Sequence, residues 1–204
     1  INLTFKEIDV KQLKKLAISF KPSNLTSIIR NKINRGELNS EVEIYFNENN
    51  LLDNYILRGS IKNLEAELTK NISFKNTSFN FFADKADVLI SKIYTESGPL
   101  KIKDGDLKAE LSSEISVESN FKANLDYSKD QVEYKNLLKK IGYLDDLNNV
   151  VAEFNSNFFI NFDKTYKVKN YNYKSGGKII KANFKLKKPY SNNLIQEKIN
   201  QISL

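Results

Sequence analysis

The chain has 204 residues, of which 40% are apolar and 28% charged, and its formal net charge is +7. This composition is that of a folded globular protein, and no run reaches the roughly 20 apolar residues that a membrane-spanning helix needs. The sequence contains no Cys and no His. It therefore excludes disulfides and thiolate zinc sites, and it lacks the commonest general base and metal ligand.

The first segment, residues 1–35, is predicted to be helical. In DVKQLKKLAISF (9–20) the apolar residues recur at helical spacing after Asp9, which is a suitable N-cap. Pro22 interrupts the pattern, and PSNLTSIIRNKI (22–33) predicts a second short helix. Because the chain begins with Ile1 and not with Met, we expect it to be a piece of a longer protein.

Residues 36–127 change to a period of two, which is typical of strands with one apolar face. Asp104-Gly105 lies between alternating apolar residues and predicts a hairpin turn. The longest unbroken alternation runs from Ile115 to Tyr127. Strands are predicted over 37–46, 55–69, 72–84 and 87–97, over 98–111 in two short halves, and over 115–127.

Residues 128–150 break this alternation and are predicted to form a helical insertion, with Val132, Leu137, Leu138 and Ile141 on one face. Residues 151–204 are predicted to form a second β section with a C-terminal helix. Its strands are expected over 151–163, 164–175 and 178–189, with Gly176-Gly177 as a hairpin turn and 194–204 as the helix.

Nine or ten strands are thus predicted, several of them longer than the usual 5–6 residues. The chain has only 7 Gly and 3 Pro for corners. This combination predicts a mainly β fold with a few short helices. We expect an extended, curved antiparallel sheet with an apolar concave side and a charged convex side. The helices near 9–33 and 130–141 are expected to cover part of the concave side and to leave an apolar groove for binding.

No group of residues predicts catalysis. Glu65 and Glu67 share the polar face of a strand, and Asp104 and Asp106 flank a turn glycine. SGGK (175–178) lacks the spacing of a phosphate-binding loop. The dense basic patches are short, and in the rest of the chain lysines alternate with acidic residues. This pattern favours a solvated outer face over a nucleic-acid interface. We therefore expect neither an enzyme nor a cofactor, metal or nucleic-acid partner.

Two sequence phrases and the long strand that follows them stand out within residues 58–127. One phrase is F-x-N-x-x-F, here Phe74, Asn76 and Phe79. The other is I-x-D-G-x-L-x-A, here Ile102, Asp104, Gly105, Leu107 and Ala109. With these features, the run 58–127 resembles AsmA-like proteins of Gram-negative bacteria, in particular the DUF3971 type. Residues 155–180 look like the family's repeated module of strand, basic turn, strand and Gly.

This resemblance implies a section of a repeating β-groove protein (a β-taco-like section) that is periplasmic and anchored to the inner membrane by a segment outside this chain. Such a protein holds phospholipid acyl chains and contributes to lipid transport to the outer membrane. Its partners are phospholipid and neighbouring β-groove repeats.

Eleven residues are predicted to line the groove: Val88, Ile90, Leu107, Leu111, Ile115, Val117, Phe121, Leu125, Phe158, Ile160 and Phe162. Each of them also suits an ordinary core under a helix or a second sheet. The alternative is therefore a structural or adhesive β-module of the cell envelope with a closed core. A carboxylate-based hydrolase is a third hypothesis, which the predicted outward position of the acids disfavours.

Overall fold

The structure is a computed structural model that describes residues 1–12, 31–69, 72–111, 114–128, 144–163, 167–192 and 195–203. Ten strands of these described residues form one open antiparallel sheet, in which each strand pairs with the next along the chain. The predicted extended antiparallel sheet is thereby confirmed. The strands are β1 Asn2–Asp9, β2 Ile33–Phe46, β3 Leu52–Thr69, β4 Ile72–Ala83, β5 Asp87–Ser97, β6 Leu100–Leu111, β7 Ile115–Ser128, β8 Leu144–Phe162, β9 Val168–Asn192 and β10 Ile195–Ser203.

Strict alternation of apolar and polar residues explains the most regular part of the sheet. β7 and β8 pair without a register shift from Ile115↔Phe162 to Ser128↔Asn149. Opposite residues of two antiparallel strands lie on the same face, so the odd residues of β7 share a face with the even residues of β8. The predicted β sections 36–127 and 151–204 are therefore parts of one sheet.

A row of backbone irregularities crosses the first six strands. Non-glycine residues with positive φ occur at Glu7, Asn63, Asn76 and Lys92, with φ between 51° and 54°. Register shifts accompany them in β1, β3 and β4, and a further shift lies in β6 between Ile102 and Asp104. Each bulge adds a residue, bends its strand and increases the local twist. The sheet therefore curves along this row while its apolar residues stay on one face.

Both predicted glycine turns inside the β sections are wrong. β6 continues through Asp104-Gly105 without a turn, and β9 continues through Gly176-Gly177. Gly105 and Gly177 make room for a neighbouring strand. A Cβ on Gly105 would lie 2.5 Å from Cδ1 of Phe121, and a Cβ on Gly177 would lie 2.1 Å from the carbonyl oxygen of Glu153.

The predicted C-terminal helix at 194–204 is also wrong, because Ile195–Ser203 is strand β10. Its residues pair with β9 between Asn183 and Asn192. Three isoleucines make this segment a poor helix former. The edge of β9 offers backbone donors and acceptors that a helix would leave unused.

The helical segments are only partly described. Residues 10–12 and 31–32 are helical, but most of the helices predicted at 9–20 and 22–33 lies outside the described residues. The start of the predicted helical segment 1–35 is strand β1 instead, because Leu3 and Phe5 alternate with polar residues and pair with Val42 and Ser40. Of the predicted insertion 128–150, residues 129–143 also lie outside, whereas 144–150 belong to β8.

Candidate functional site

The strand registers collect the apolar residues on one side of the sheet, which we call the groove face. From β3 to β7, every residue that the pairing assigns to this face is apolar, Ser, Thr or Gly. All eleven predicted lining residues lie on it. Val88 and Ile90 oppose Ala109 and Leu107, Leu111 opposes Ile115, and the β7 members lie opposite the even residues of β8.

Most of the described large side chains of the groove face are only partly covered, although Tyr127 and Leu64 are buried. Ten of the eleven predicted residues are half-buried, and Phe158 is 38% exposed. The described residues that are fully buried on this face are mostly small, among them Ala109, Ser119, Ala123 and Ser156. Ser119 lies opposite Phe158, and Ala123 lies opposite Phe154. Small side chains are thus shielded by large neighbours of the same sheet, while most of the large side chains keep an open side.

A cavity of about 740 Å³ lies over the groove face of the first five strands. Its volume falls within the range of small-molecule sites, which is roughly 300–1,000 Å³. Among its described lining residues, only Gln12 and Ser40 are polar. The apolar lining residues are Phe5, Ile8, Leu38, Val42, Leu57, Ile61, Phe79, Phe81, Ala83, Val88 and Ile90.

Of the eleven residues predicted from the sequence, Val88 and Ile90 line this cavity. The other nine continue the groove face across β6, β7 and β8. Sequence reasoning missed the walls formed by β1 to β4. The alternation of Leu3 and Phe5 with polar residues indicates strand β1. Because the whole segment 1–35 was predicted to be helical, no strand was predicted there.

Three buried hydroxyl groups lie at the floor of the groove. The Thr77 and Thr95 hydroxyl groups hydrogen-bond across β4 and β5 at 2.5 Å, and both residues are buried. The Ser40 hydroxyl oxygen is buried and has no hydrogen-bond partner in the described part of the chain. Ser40 lies opposite Gly59, and a Cβ on Gly59 would lie 2.9 Å from Cζ of Phe81. The missing side chain at Gly59 thus lets the Phe81 ring approach β2.

Aromatic rings continue the groove face beyond the cavity. The ring centroids of Phe121 and Phe158 are 6.1 Å apart in an edge-to-face arrangement. Phe158 and Tyr173 are stacked with centroids 6.2 Å apart. The three rings form a row across β7, β8 and β9, and such pairs contribute about 0.5–1.5 kcal/mol beyond their burial.

Charged residues lie on the opposite, outer face and pair with one another. Arg58 contacts Glu41 at 2.9 Å and Glu43 at 3.1 Å. Lys101 contacts Glu96 at 2.8 Å, and Tyr94 and Asn76 also donate hydrogen bonds to Glu96. These donors, Lys101 first, lower the pKa of Glu96 to about 2. Glu96 therefore stays ionised across the physiological pH range.

The groove face offers apolar contact and little else. Within the described ranges, no set of three or more acidic residues is placed to hold a metal ion. None of the described helices is long and apolar enough to cross a bilayer. On the described groove face from β3 to β7, the register places hydroxyl groups of Ser, Thr and Tyr but no carboxylate or amine. Its arrangement suits a ligand that is itself a long apolar chain.

No protein-family model, no curated protein and no solved structure matches this sequence significantly.

Proposed function

We propose that this chain is a section of a lipid-carrying β-groove that binds the acyl chains of phospholipids along its groove face. The observation that carries the proposal is the single-sided apolar face, most of whose large side chains keep an open side around a cavity of about 740 Å³. Contiguous apolar side chains that stay open to solvent mark a binding surface.

Acyl chains match this surface in both shape and energy. Each CH₂ group that moves from water into apolar contact contributes about 0.8 kcal/mol. The walls of the cavity are aliphatic and aromatic side chains on five neighbouring strands, and Phe121, Phe158 and Tyr173 extend them. Contact of this kind is spread along the groove, which allows a chain to shift along it. Head groups stay at the open side, where they remain hydrated.

The wider role rests on the resemblance to AsmA-like proteins. It comprises a place in the periplasm, an inner-membrane anchor outside this chain, neighbouring β-groove repeats, and phospholipid transport to the outer membrane. The residues of the two phrases lie in this structure on β4 and β6. Phe79 lines the cavity, and Leu107 lies on the groove face opposite Ile90.

The alternative is a non-catalytic structural or adhesive module with a closed core. Such a module requires a second layer over Phe158 and over the cavity walls. Six apolar side chains are buried among the described residues, and three of these six are alanines. This sparse core favours the groove over the closed module.

Native mass spectrometry of the purified chain tests the proposal. We expect adducts with phospholipid masses that disappear after organic extraction, with the extracted lipid identified by its fragments. A protein that carries no lipid, and that takes up no fatty acid when one is added, contradicts the proposal and supports the closed module.

A further inference from the structure

Strand β9 has an unusual charge pattern. It carries seven lysines and no acidic residue between Val168 and Asn192. Lys169 is paired with Glu114 at 2.5 Å. No ion pair joins Lys174, Lys178 or Lys181 to a carboxylate of the described residues.

The three unpaired lysines lie on the outer face of β9. In the register with β8, Lys174 opposes Asn157, Lys178 opposes Glu153 and Lys181 opposes Val151. Glu153 is also approached by Lys103 and by the Asn124 amide. This acid therefore does not offset the positive charge of the strand.

The first part of β9, residues 168–182, is also an open edge in the described structure. β10 pairs only with the later part, between Asn183 and Asn192. Large apolar side chains are exposed along this open edge. Tyr171 is 70% exposed, Tyr173 63%, Ile179 58% and Ile180 50%.

We propose that residues 168–182 dock on the surface of a bilayer that contains anionic phospholipid. Unpaired lysines are attracted to the negative surface potential of such a bilayer. Tyr side chains favour the boundary between head groups and acyl chains. Burial of Ile179 and Ile180 between lipids removes their apolar surface from water, which favours docking. The groove face ends at the same strand, so docking places the groove beside the lipids.

The apolar residues distinguish this partner from a nucleic acid. A nucleic-acid surface would use the lysines and could stack on Tyr171 and Tyr173. It would leave the aliphatic side chains of Ile179 and Ile180 in water, and β9 contains no Arg for bidentate phosphate contacts. A bilayer uses all of these features together.

Vesicle sedimentation tests the docking surface. We expect the chain to sediment with phosphatidylcholine vesicles that contain phosphatidylglycerol, less so at high salt, and not with pure phosphatidylcholine. Replacing Lys174, Lys178 and Lys181 by Gln should weaken binding by about fivefold per lysine. The matched control replaces Lys62, Lys75 and Lys92 by Gln, which makes the same change in net charge on other strands and should leave binding close to that of the unchanged chain. The Ile179→Ser/Ile180→Ser variant should also weaken binding.

Equal losses in the two lysine variants would overturn the proposal. So would unchanged binding after the isoleucine replacements, or a preference for a single-stranded oligonucleotide over the vesicles. Uptake of a fatty acid in solution without vesicles is measured in parallel. That uptake tests the groove and is expected to be the same in the two lysine variants, so failure of one proposal is distinguishable from failure of the other.

Discussion

A chain in which Phe81 and Ile90 are both replaced by Asn will bind a fluorescent fatty acid about tenfold more weakly than the unchanged chain, or weaker still. The two residues are register partners on β4 and β5, and both line the cavity. A fully buried side chain of this size contributes about 1.5–3 kcal/mol, and about 1.4 kcal/mol corresponds to a factor of ten in affinity. Partial loss of two such contacts is therefore enough to weaken fatty-acid binding about tenfold.

The same two strands provide a matched control. Phe82 and Leu89 are the adjacent register partners and face the opposite side of the sheet. The Phe82→Asn/Leu89→Asn variant makes similar changes in size and polarity but leaves the groove face intact. It should bind fatty acid like the unchanged chain. Equal loss in both variants, with circular dichroism spectra that show both to be folded, would contradict a groove on this side.

The Gly177→Ala variant is expected to be less stable than the unchanged chain by about 2 kcal/mol. The added Cβ would lie 2.1 Å from the Glu153 carbonyl oxygen and 2.6 Å from Cα of Phe154. These are backbone atoms of β8, so no rotation of a side chain relieves the contact. The two strands must separate locally and weaken their hydrogen bonds. The measurement is the midpoint of urea denaturation.

Gly176→Ala is the control for this prediction. Nothing lies within 4 Å of a Cβ built on Gly176, so its substitution should change stability by no more than about 0.5 kcal/mol. An alanine at Gly177 that is as harmless as one at Gly176 would contradict the close approach of β8 and β9. Equal damage at both positions would indicate a shared role in a turn instead.

Alternation in the sequence was sufficient to predict the central strands. β5 runs from Asp87 to Ser97 as predicted, and β7 differs from its prediction by one residue. The fold class follows from the same signal, because a period of two gives each strand one apolar face. The eleven predicted lining residues lie on one face since the antiparallel registers preserve that alternation from strand to strand.

The glycines at Gly105 and Gly177 led to wrong predictions of hairpin turns. In a sequence, a glycine that supports a turn and a glycine that makes room for a neighbouring strand look alike. The space requirement depends on Phe121 and Phe154, which are distant along the chain and become neighbours only through the strand registers. The local sequence of Ile195–Ser203 likewise does not show its structure, because its strand conformation depends on pairing with the edge of β9.

The walls of the cavity were the hardest part to predict. β1 is short, and its apolar side chains come near the groove through pairing with residues of β2 that lie thirty or more positions further along the chain. The bulge at Glu7 shifts the period of two within β1. Phe5 and Ile8 both line the cavity, whereas a strict alternation would assign them to opposite faces.

Photo-crosslinking tests most directly whether acyl chains lie on the groove face. The chain is loaded with a fatty acid that carries a diazirine on its tail, irradiated and digested, and the modified residues are identified by mass spectrometry. We predict adducts on cavity residues such as Leu57, Ile61 and Phe79, and none on the outer-face residues Phe82 and Leu89. Adducts spread equally over both faces, or confined to the outer face, would contradict the account.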